Sequence, residues 1–197
     1  MSNKERLLEE LKKETFDADL PLKKDATNLV FGKGKADAPI LFVGEAPGRN
    51  EDLQGLPFVG AAGKNLDKLL HDVGLSLNDV YIANILKYRP PKNRIPLSSE
   101  IKTHAYYLIK QIKVIRPNVI CSLGNYATKF FLAGMDADKM DEQEGITKLH
   151  GKVKEIEFDG MKIRLIPLFH PAAIIYNRNL SAEWEKDLEI VKKEIGK

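Results

Sequence analysis

The chain reads PILFVGEAPGRNED from residue 39 to residue 52. The apolar run at residues 39–43 is typical of a buried parallel strand, and leucines recur at helical spacing over residues 65–73. A strand that opens into a glycine-rich loop and then a helix places that loop at the carboxyl edge of an open sheet, where ligands bind. The loop carries Glu45, Glu51 and Asp52, whereas a phosphate cradle would present backbone amides and a lysine. The stretch therefore predicts a site for chemistry on something other than a nucleotide triphosphate.

Four apolar runs alternate with helical patterns and predict a parallel sheet covered on both faces. The runs span residues 40–43, 81–86, 119–123 and 161–169. The last run follows an Asp159-Gly160 turn, which is typical of a hairpin with residues 153–158. We expect an α/β fold, a three-layer α/β/α sandwich with a central four-stranded parallel sheet, in a single domain over residues 1–197.

Local signals predict where elements begin. Ser98 or Ser99 is expected to cap the helix before the third strand, and Ser181 to cap the last helix. Residues 16–38 are polar and glycine-bearing, and we expect them to wrap the domain mostly as loop.

The composition restricts the class of protein. No apolar run approaches the ~20 residues of a membrane span, and the charged start of the chain lacks the apolar region of a signal peptide. The lone cysteine, Cys121, excludes an intrachain disulfide and a metal site built from cysteines alone. We therefore expect a cytoplasmic protein with no membrane partner. A net charge of +3 permits a polyanionic partner without requiring one.

The histidines differ in their context. His170 ends an apolar strand directly before Pro171, so it should face the crevice where the carboxyl ends of parallel strands meet. This position favours a functional role for His170. His71 and His150, in a helix and a loop, have the context of ordinary surface residues.

Asn84 and Phe58 each admit two interpretations. Asn84 lies in a strand, where asparagine is disfavoured, and it is either a hydrogen-bonded core amide or a ligand-reading group at the crevice. Phe58 lies between two glycine-bearing turns and is either a core residue or a stacking platform.

A cationic loop follows the second strand. It carries Lys87, Arg89, Lys92 and Arg94 among prolines. Such a loop is either solvated or a surface for phosphate contacts beside the crevice.

Taken together, these motifs resemble the family 4 uracil-DNA glycosylases over roughly residues 21–188. The matching segments are GEAPG at 44–48, PFVG at 57–60, Asn84 with KYRPP at 87–91, NRIP at 93–96, SLG at 122–124 and HPAA at 170–173. The resemblance implies a DNA repair enzyme, a monofunctional glycosylase that flips uracil out of single- or double-stranded DNA and hydrolyses its glycosidic bond. It also implies a monomer.

The resemblance assigns roles to individual residues. Glu51, His170 and Glu45 are the expected catalytic residues, with Glu51 opposite the positive sugar and His170 donating toward uracil O2. Phe58 would stack on the base, Asn84 would read its edge, and Glu45 would line the pocket beside C5 and help to exclude the methyl group of thymine. The expected uracil-binding residues are Glu45, Ala46, Phe58, Asn84 and His170. The expected DNA-binding residues are Arg89, Lys92, Arg94, Asn125 and Arg178.

The sequence departs from this family at four positions. Members usually hold a 4Fe–4S cluster with cysteines where this chain has Asp17, Leu20, Tyr88 and His104. Cluster ligation needs thiolates, so we expect no cofactor and no metal. Packing by Tyr88 and His104 is expected to join the two segments instead.

Two other functions compete with the glycosylase. A non-catalytic DNA-binding scaffold could keep the fold, but the joint presence of Glu45, Glu51, Asn84 and His170 argues against it. A small-nucleotide hydrolase could use the same sheet, but it would not need the cationic loop.

Overall fold

One mixed sheet of six strands lies at the centre of the part of the chain that the computed structural model describes, residues 1–177 and 179–196. The strands are β1 (Lys33–Gly34), β2 (Ile40–Gly44), β3 (Val80–Asn84), β4 (Val119–Leu123), β5 (Lys154–Phe158) and β6 (Met161–Leu168). Their order is β1-β3-β2-β4-β6-β5, in which β3, β2, β4 and β6 run parallel and the two edge strands run antiparallel. The predicted parallel core is confirmed, and antiparallel strands extend it at both edges.

Helices cover both faces of the sheet. They are α1 (Asn3–Asp17), α2 (Arg49–Gln54), α3 (Ala61–Asp72), α4 (Ser98–Ile115), α5 (Asn125–Leu132), α6 (Ile146–Leu149), α7 (Ala173–Tyr176) and α8 (Leu180–Glu194). Strand β2 shows why two layers form, because alternate residues of a strand point to opposite faces. Leu41 and Val43 pack into the core beneath α1, α4 and α5, whereas Ile40 and Phe42 pack against α3 and α8. The three-layer α/β/α sandwich is therefore confirmed.

The segment between α1 and β2 is more ordered than the loop we predicted. It contains a 3-10 helix at Lys23–Asp25 and the short strand β1, which pairs with Tyr81 and Ile82 of β3. Gly34 permits this pairing: its φ is +116°, and a Cβ there would lie 2.2 Å from the carbonyl oxygen of Val80. We call residues 18–32 the crossing segment, since they pass from α1 across the carboxyl end of β3.

Both predicted serine caps are wrong. Helix α4 begins after Leu97, whose N–H donates to the Glu100 carboxylate at 2.8 Å, so a glutamate satisfies the helix start in place of Ser98 or Ser99. Helix α8 begins after Asn179, and Ser181 lies within its first turn. Across the described residues, no helix is both long and apolar enough to span a bilayer.

Candidate active site

A cavity of about 430 Å³ opens at the carboxyl ends of the parallel strands. All six residues predicted to be catalytic or uracil-binding line it: Glu45, Ala46, Glu51, Phe58, Asn84 and His170. The sheet topology explains this convergence, because β2 leads into Glu45, β3 ends at Asn84 and β6 leads into His170.

Glycines bring Phe58 into the cavity. Phe58 has a φ of +50° and is 5% exposed. A Cβ on Gly63 would lie 2.1 Å from the Phe58 carbonyl oxygen, and one on Gly44 would lie 2.8 Å from its ring. The ring centroids of Phe58 and His170 are 5.8 Å apart. Phe58 thus forms one wall of the cavity beside His170.

Asn84 presents a polar atom with no partner. The residue is 2% exposed, and its Oδ1 accepts no hydrogen bond from any of the described residues. Gly44 leaves room for this oxygen, because a Cβ there would approach it to 2.4 Å. A buried amide oxygen without a partner is costly unless a ligand supplies the donor. The geometry therefore favours the ligand-reading interpretation of Asn84 over the core one.

Glu51 is held by backbone donors. Its Oε1 accepts from the N–H groups of Val59 at 2.9 Å and Gly60 at 2.7 Å. Such charge-assisted bonds fix a carboxylate in position. Asp52, the next residue, accepts from the N–H groups of Thr27 and Asn28 and so ties the loop to the crossing segment.

His170 is held in one tautomer. Its Nδ1 accepts from the Ala172 N–H at 3.2 Å, which leaves the ring proton on Nε2. Burial lowers the pKa of His170, and the negative charge of Glu51 opposes this shift. Burial also raises the pKa of Glu45. The cavity thus pairs a neutral N–H donor with a fixed carboxylate.

The predicted DNA-binding residues of the loop after β3 have different surroundings. Arg94 lines the cavity mouth, and its guanidinium forms two hydrogen bonds with Glu100, at 2.5 and 2.8 Å. Arg89 donates to Asn93, and Lys92 is exposed at the tip of the same loop.

The other two predicted DNA-binding residues are Asn125 and Arg178. Asn125, in the first turn of α5, accepts from the N–H of Ile146 and thereby anchors α6. Arg178 lies outside the described residues.

Lys87 does not belong to the phosphate surface for which we considered it. Its side chain is fully buried, and its ammonium donates to the Asn84 carbonyl oxygen and to Gln111. No local pattern in the sequence indicates this burial, since a lysine among prolines and arginines is typical of a solvated loop.

His150 is likewise no ordinary surface residue. Its Nδ1 lies 2.9 Å from the carboxylate of the buried Asp187, and its ring packs 4.4 Å from that of Phe169. The pair thus supports the residue that precedes His170. His71, with a side chain that is 91% exposed, is a surface residue as predicted.

Fold and site together are those of the α/β enzymes that bind their ligand at the carboxyl edge of a parallel sheet. The model of the uracil DNA glycosylase superfamily matches residues 31–191. The chain therefore belongs to the uracil DNA glycosylase superfamily, and the resemblance seen in its sequence is confirmed.

Several curated relatives support this membership. A "Type-4 uracil-DNA glycosylase" of Archaeoglobus fulgidus is 47% identical over 89% of this chain and 86% of its own length. Proteins of the same name from Saccharolobus solfataricus and Thermotoga maritima are 42% and 41% identical, over 86% and 88% of this chain and 77% and 88% of their own lengths.

These relatives contradict our expectation that the protein has no cofactor, because type 4 is known as an iron–sulfur enzyme. The residues of this chain nevertheless do not fit a cluster held by cysteines. The sole cysteine of the sequence, Cys121, is buried in β4, where burial raises the pKa of its thiol well above the usual value. No group of three His, Cys, Asp or Glu side chains within residues 1–177 and 179–196 could hold a metal ion.

His104 joins the crossing segment and the loop after β3 by hydrogen bonds. Its Nε2 lies 3.0 Å from the carbonyl oxygen of Pro21 in the crossing segment, and its Nδ1 accepts from the Lys87 N–H at 3.2 Å. The Tyr88 ring packs edge-on against it at 6.2 Å. His104 thus joins the two segments through hydrogen bonds, and Tyr88 contacts the His104 ring.

Proposed function

We propose that this chain flips uracil out of DNA, holds the base in the cavity and hydrolyses its N-glycosidic bond, which leaves an abasic site. The observation that carries this proposal is the Oδ1 of Asn84, which has no partner among the described residues and lies in the cavity that Phe58 and His170 also line. The named relatives and the family match confirm the predicted activity, uracil-DNA glycosylase in DNA repair.

Asn84 reads the base. Its Oδ1 accepts from uracil N3–H and its Nδ2 donates to O4. Cytosine presents an acceptor and a donor at the same positions, so it would oppose both groups. Phe58 stacks on the ring, and Glu45 and Ala46 line the wall beside C5, where Glu45 disfavours the methyl group of thymine.

His170 and Glu51 act on the two products of bond cleavage. As the bond between C1′ and N1 breaks, its electron pair moves onto uracil, and Nε2–H of His170 donates toward O2. The sugar becomes cationic, and the Glu51 carboxylate stabilises it and orients the water whose oxygen adds to C1′. The proton that this water loses balances the negative charge on the departing uracil. Two observations support these roles: the Nδ1 bond that leaves the proton on Nε2, and the two backbone donors that fix Glu51.

DNA is the partner of the enzyme, and the loop after β3 is the proposed backbone contact. Lys92 is exposed, Arg89 is half-buried and donates to Asn93, Arg94 lines the cavity, and Asn125 and Arg178 belong to the same predicted set. We further propose that the protein accepts single- and double-stranded DNA as a cytoplasmic monomer with one domain over residues 1–197.

The test is cleavage of oligonucleotides that contain one uracil, single-stranded and in duplex, scored for abasic sites by alkali. We expect abasic sites at uracil and none in matched oligonucleotides with thymine or cytosine. Binding without abasic sites would favour a DNA-binding scaffold. Hydrolysis of free deoxyuridine monophosphate but not of the oligonucleotide would favour a nucleotide hydrolase.

A further inference from the structure

The side chain that reads uracil in the proposed function is Asn84, and its acceptor oxygen receives no hydrogen bond from the residues that the structure describes. The position of the Asn84 amide therefore depends on its main chain at the end of β3. On one side this main chain is anchored to β2 and its loop, since Ile85 N–H donates to the Gly44 carbonyl and Leu86 N–H donates to the Glu45 carbonyl.

The other side of β3 lacks a strand partner at this point. In the described residues, β1 pairs only with Tyr81 and Ile82 of β3, so the paired part of β1 does not extend along β3 as far as Asn84. The Asn84 carbonyl instead accepts from the Nζ of Lys87 at 2.8 Å. A side chain from the same turn thus replaces the missing strand donor.

Lys87 connects this carbonyl to two other parts of the fold. Its Nζ also donates to Gln111 Oε1 of α4 at 2.5 Å, and Gln111 Nε2 donates to the Phe31 carbonyl of the crossing segment at 3.0 Å. The lysine is fully buried, and burying an ammonium group is costly unless its donors are satisfied. The Lys87 Nζ satisfies two buried acceptors, the Asn84 carbonyl oxygen and Gln111 Oε1, so packing alone does not account for a lysine here.

We propose that Lys87 is a positioning residue for base recognition: it holds the Asn84 main chain so that the side-chain amide meets the uracil edge. This inference rests on the proposed function, because it assumes that Asn84 reads the base. Lys87 itself is not among the described residues that line the cavity.

A double-mutant cycle in the full-length protein tests the assignment. Lys87→Met removes the donor and keeps the length of the side chain, and we expect single-turnover cleavage of a uracil oligonucleotide to fall about tenfold to a hundredfold, as for small misplacements of a substrate-binding group. In an Asn84→Ala background the same change should have no further effect, because a residue that acts through Asn84 has nothing left to position. An equal fall in both backgrounds would overturn the proposal.

Gln111→Met supplies the matched control. It disrupts the same buried network but leaves the hydrogen bond from Lys87 to the Asn84 carbonyl. It should therefore lower the melting temperature with little effect on the cleavage rate. It should also have little effect on how strongly free uracil inhibits the enzyme. If both variants slow cleavage equally at matched losses of stability, the role of Lys87 is merely structural.

The remaining outcomes are also decisive. If Lys87→Met does not fold, Lys87→Gln keeps a polar partner for Gln111 while falling short of Asn84, and it should show the same loss of cleavage. Failure of both variants to fold would overturn a positioning role. Failure of the proposed function differs from all of these results, because the wild-type protein would then produce no abasic sites.

Discussion

At the scale of single residues, Asn84 determines which base the cavity accepts. Asn84→Asp should weaken uracil cleavage and admit some cytosine, because a carboxylate accepts where the amide nitrogen donated. The melting temperature should change little, since the Asn84 oxygen has no partner within the described residues. Cleavage of uracil and cytosine oligonucleotides, together with thermal unfolding, measures both effects. A large fall in melting temperature with base selectivity unchanged would instead identify a core amide.

His170 and Glu51 should be needed for the chemical step more than for binding. His170→Ala removes a donor aimed at charge that develops in the transition state, so single-turnover cleavage should fall on the order of 10²–10³-fold with little change in DNA affinity. Glu51→Gln keeps an oxygen that can accept from Val59 and Gly60 but removes the charge. It should slow cleavage without unfolding the protein.

The double variant tests whether the two residues act on one breaking bond. If they do, their effects on the rate should couple and not simply add. Near-wild-type single-turnover rates in both single variants would contradict this mechanism.

At the scale of elements, the loop between β3 and α4 divides its cations between two tasks. Lys92 and Arg89 are available to phosphates, whereas Arg94 pairs with Glu100 at the start of α4. Replacing Arg89 and Lys92 by alanine should weaken DNA binding across sequences. It should also reduce the slope of log affinity against log salt by roughly 0.9 for each duplex phosphate that the loop no longer neutralises. Binding titrations at several salt concentrations measure this slope.

Arg94→Gln is the comparison for that experiment. It should lower thermal stability more than the loop variants do, because it removes the partner of the buried Glu100 carboxylate. A salt slope unaffected by loss of Arg89 and Lys92 would assign the phosphate surface to another element.

The same loop shows how far prediction from sequence reaches. The strand, glycine loop and helix of residues 39–73 were predictable, because apolar runs, glycines and helical spacing are local signals. The convergence of Glu45, Asn84 and His170 followed from the geometry of parallel strands. The inward turn of Lys87 was not predictable, since its partner Gln111 lies 24 residues further along the chain. The glutamate cap of α4 was missed for a different reason, since two adjacent serines are the more usual capping residues.

At the scale of the whole molecule, His104 links the crossing segment to the loop after β3. Burial lowers the pKa of His104 to about 4, with nearby Lys87 adding to this shift and Glu100 opposing it. The unfolded chain, with a histidine pKa near 6.5, therefore binds more protons than the folded one between these values. The contribution of neutral His104 to the free energy of unfolding is complete above pH 6.5 and is lost as pH falls toward 4. This loss amounts to about 3 kcal/mol.

Chemical denaturation between pH 7 and pH 4 measures this loss. We expect His104→Gln to flatten the dependence of unfolding free energy on pH in that window, because glutamine does not titrate. His71→Gln, at an exposed histidine, should leave the dependence as in the wild type. Equal slopes for all three proteins would show that protonation of His104 does not limit acid stability.

The lone thiol of the chain has a practical consequence for fluorescence work. Cys121 is fully buried in β4, and its raised pKa keeps the sulfur protonated, whereas maleimide dyes react with exposed thiolates. The folded protein should thus behave in labelling as if it had no cysteine at all. A single cysteine introduced at Lys92, on the exposed tip of the loop, would then carry one dye at a known site and report the approach of DNA directly.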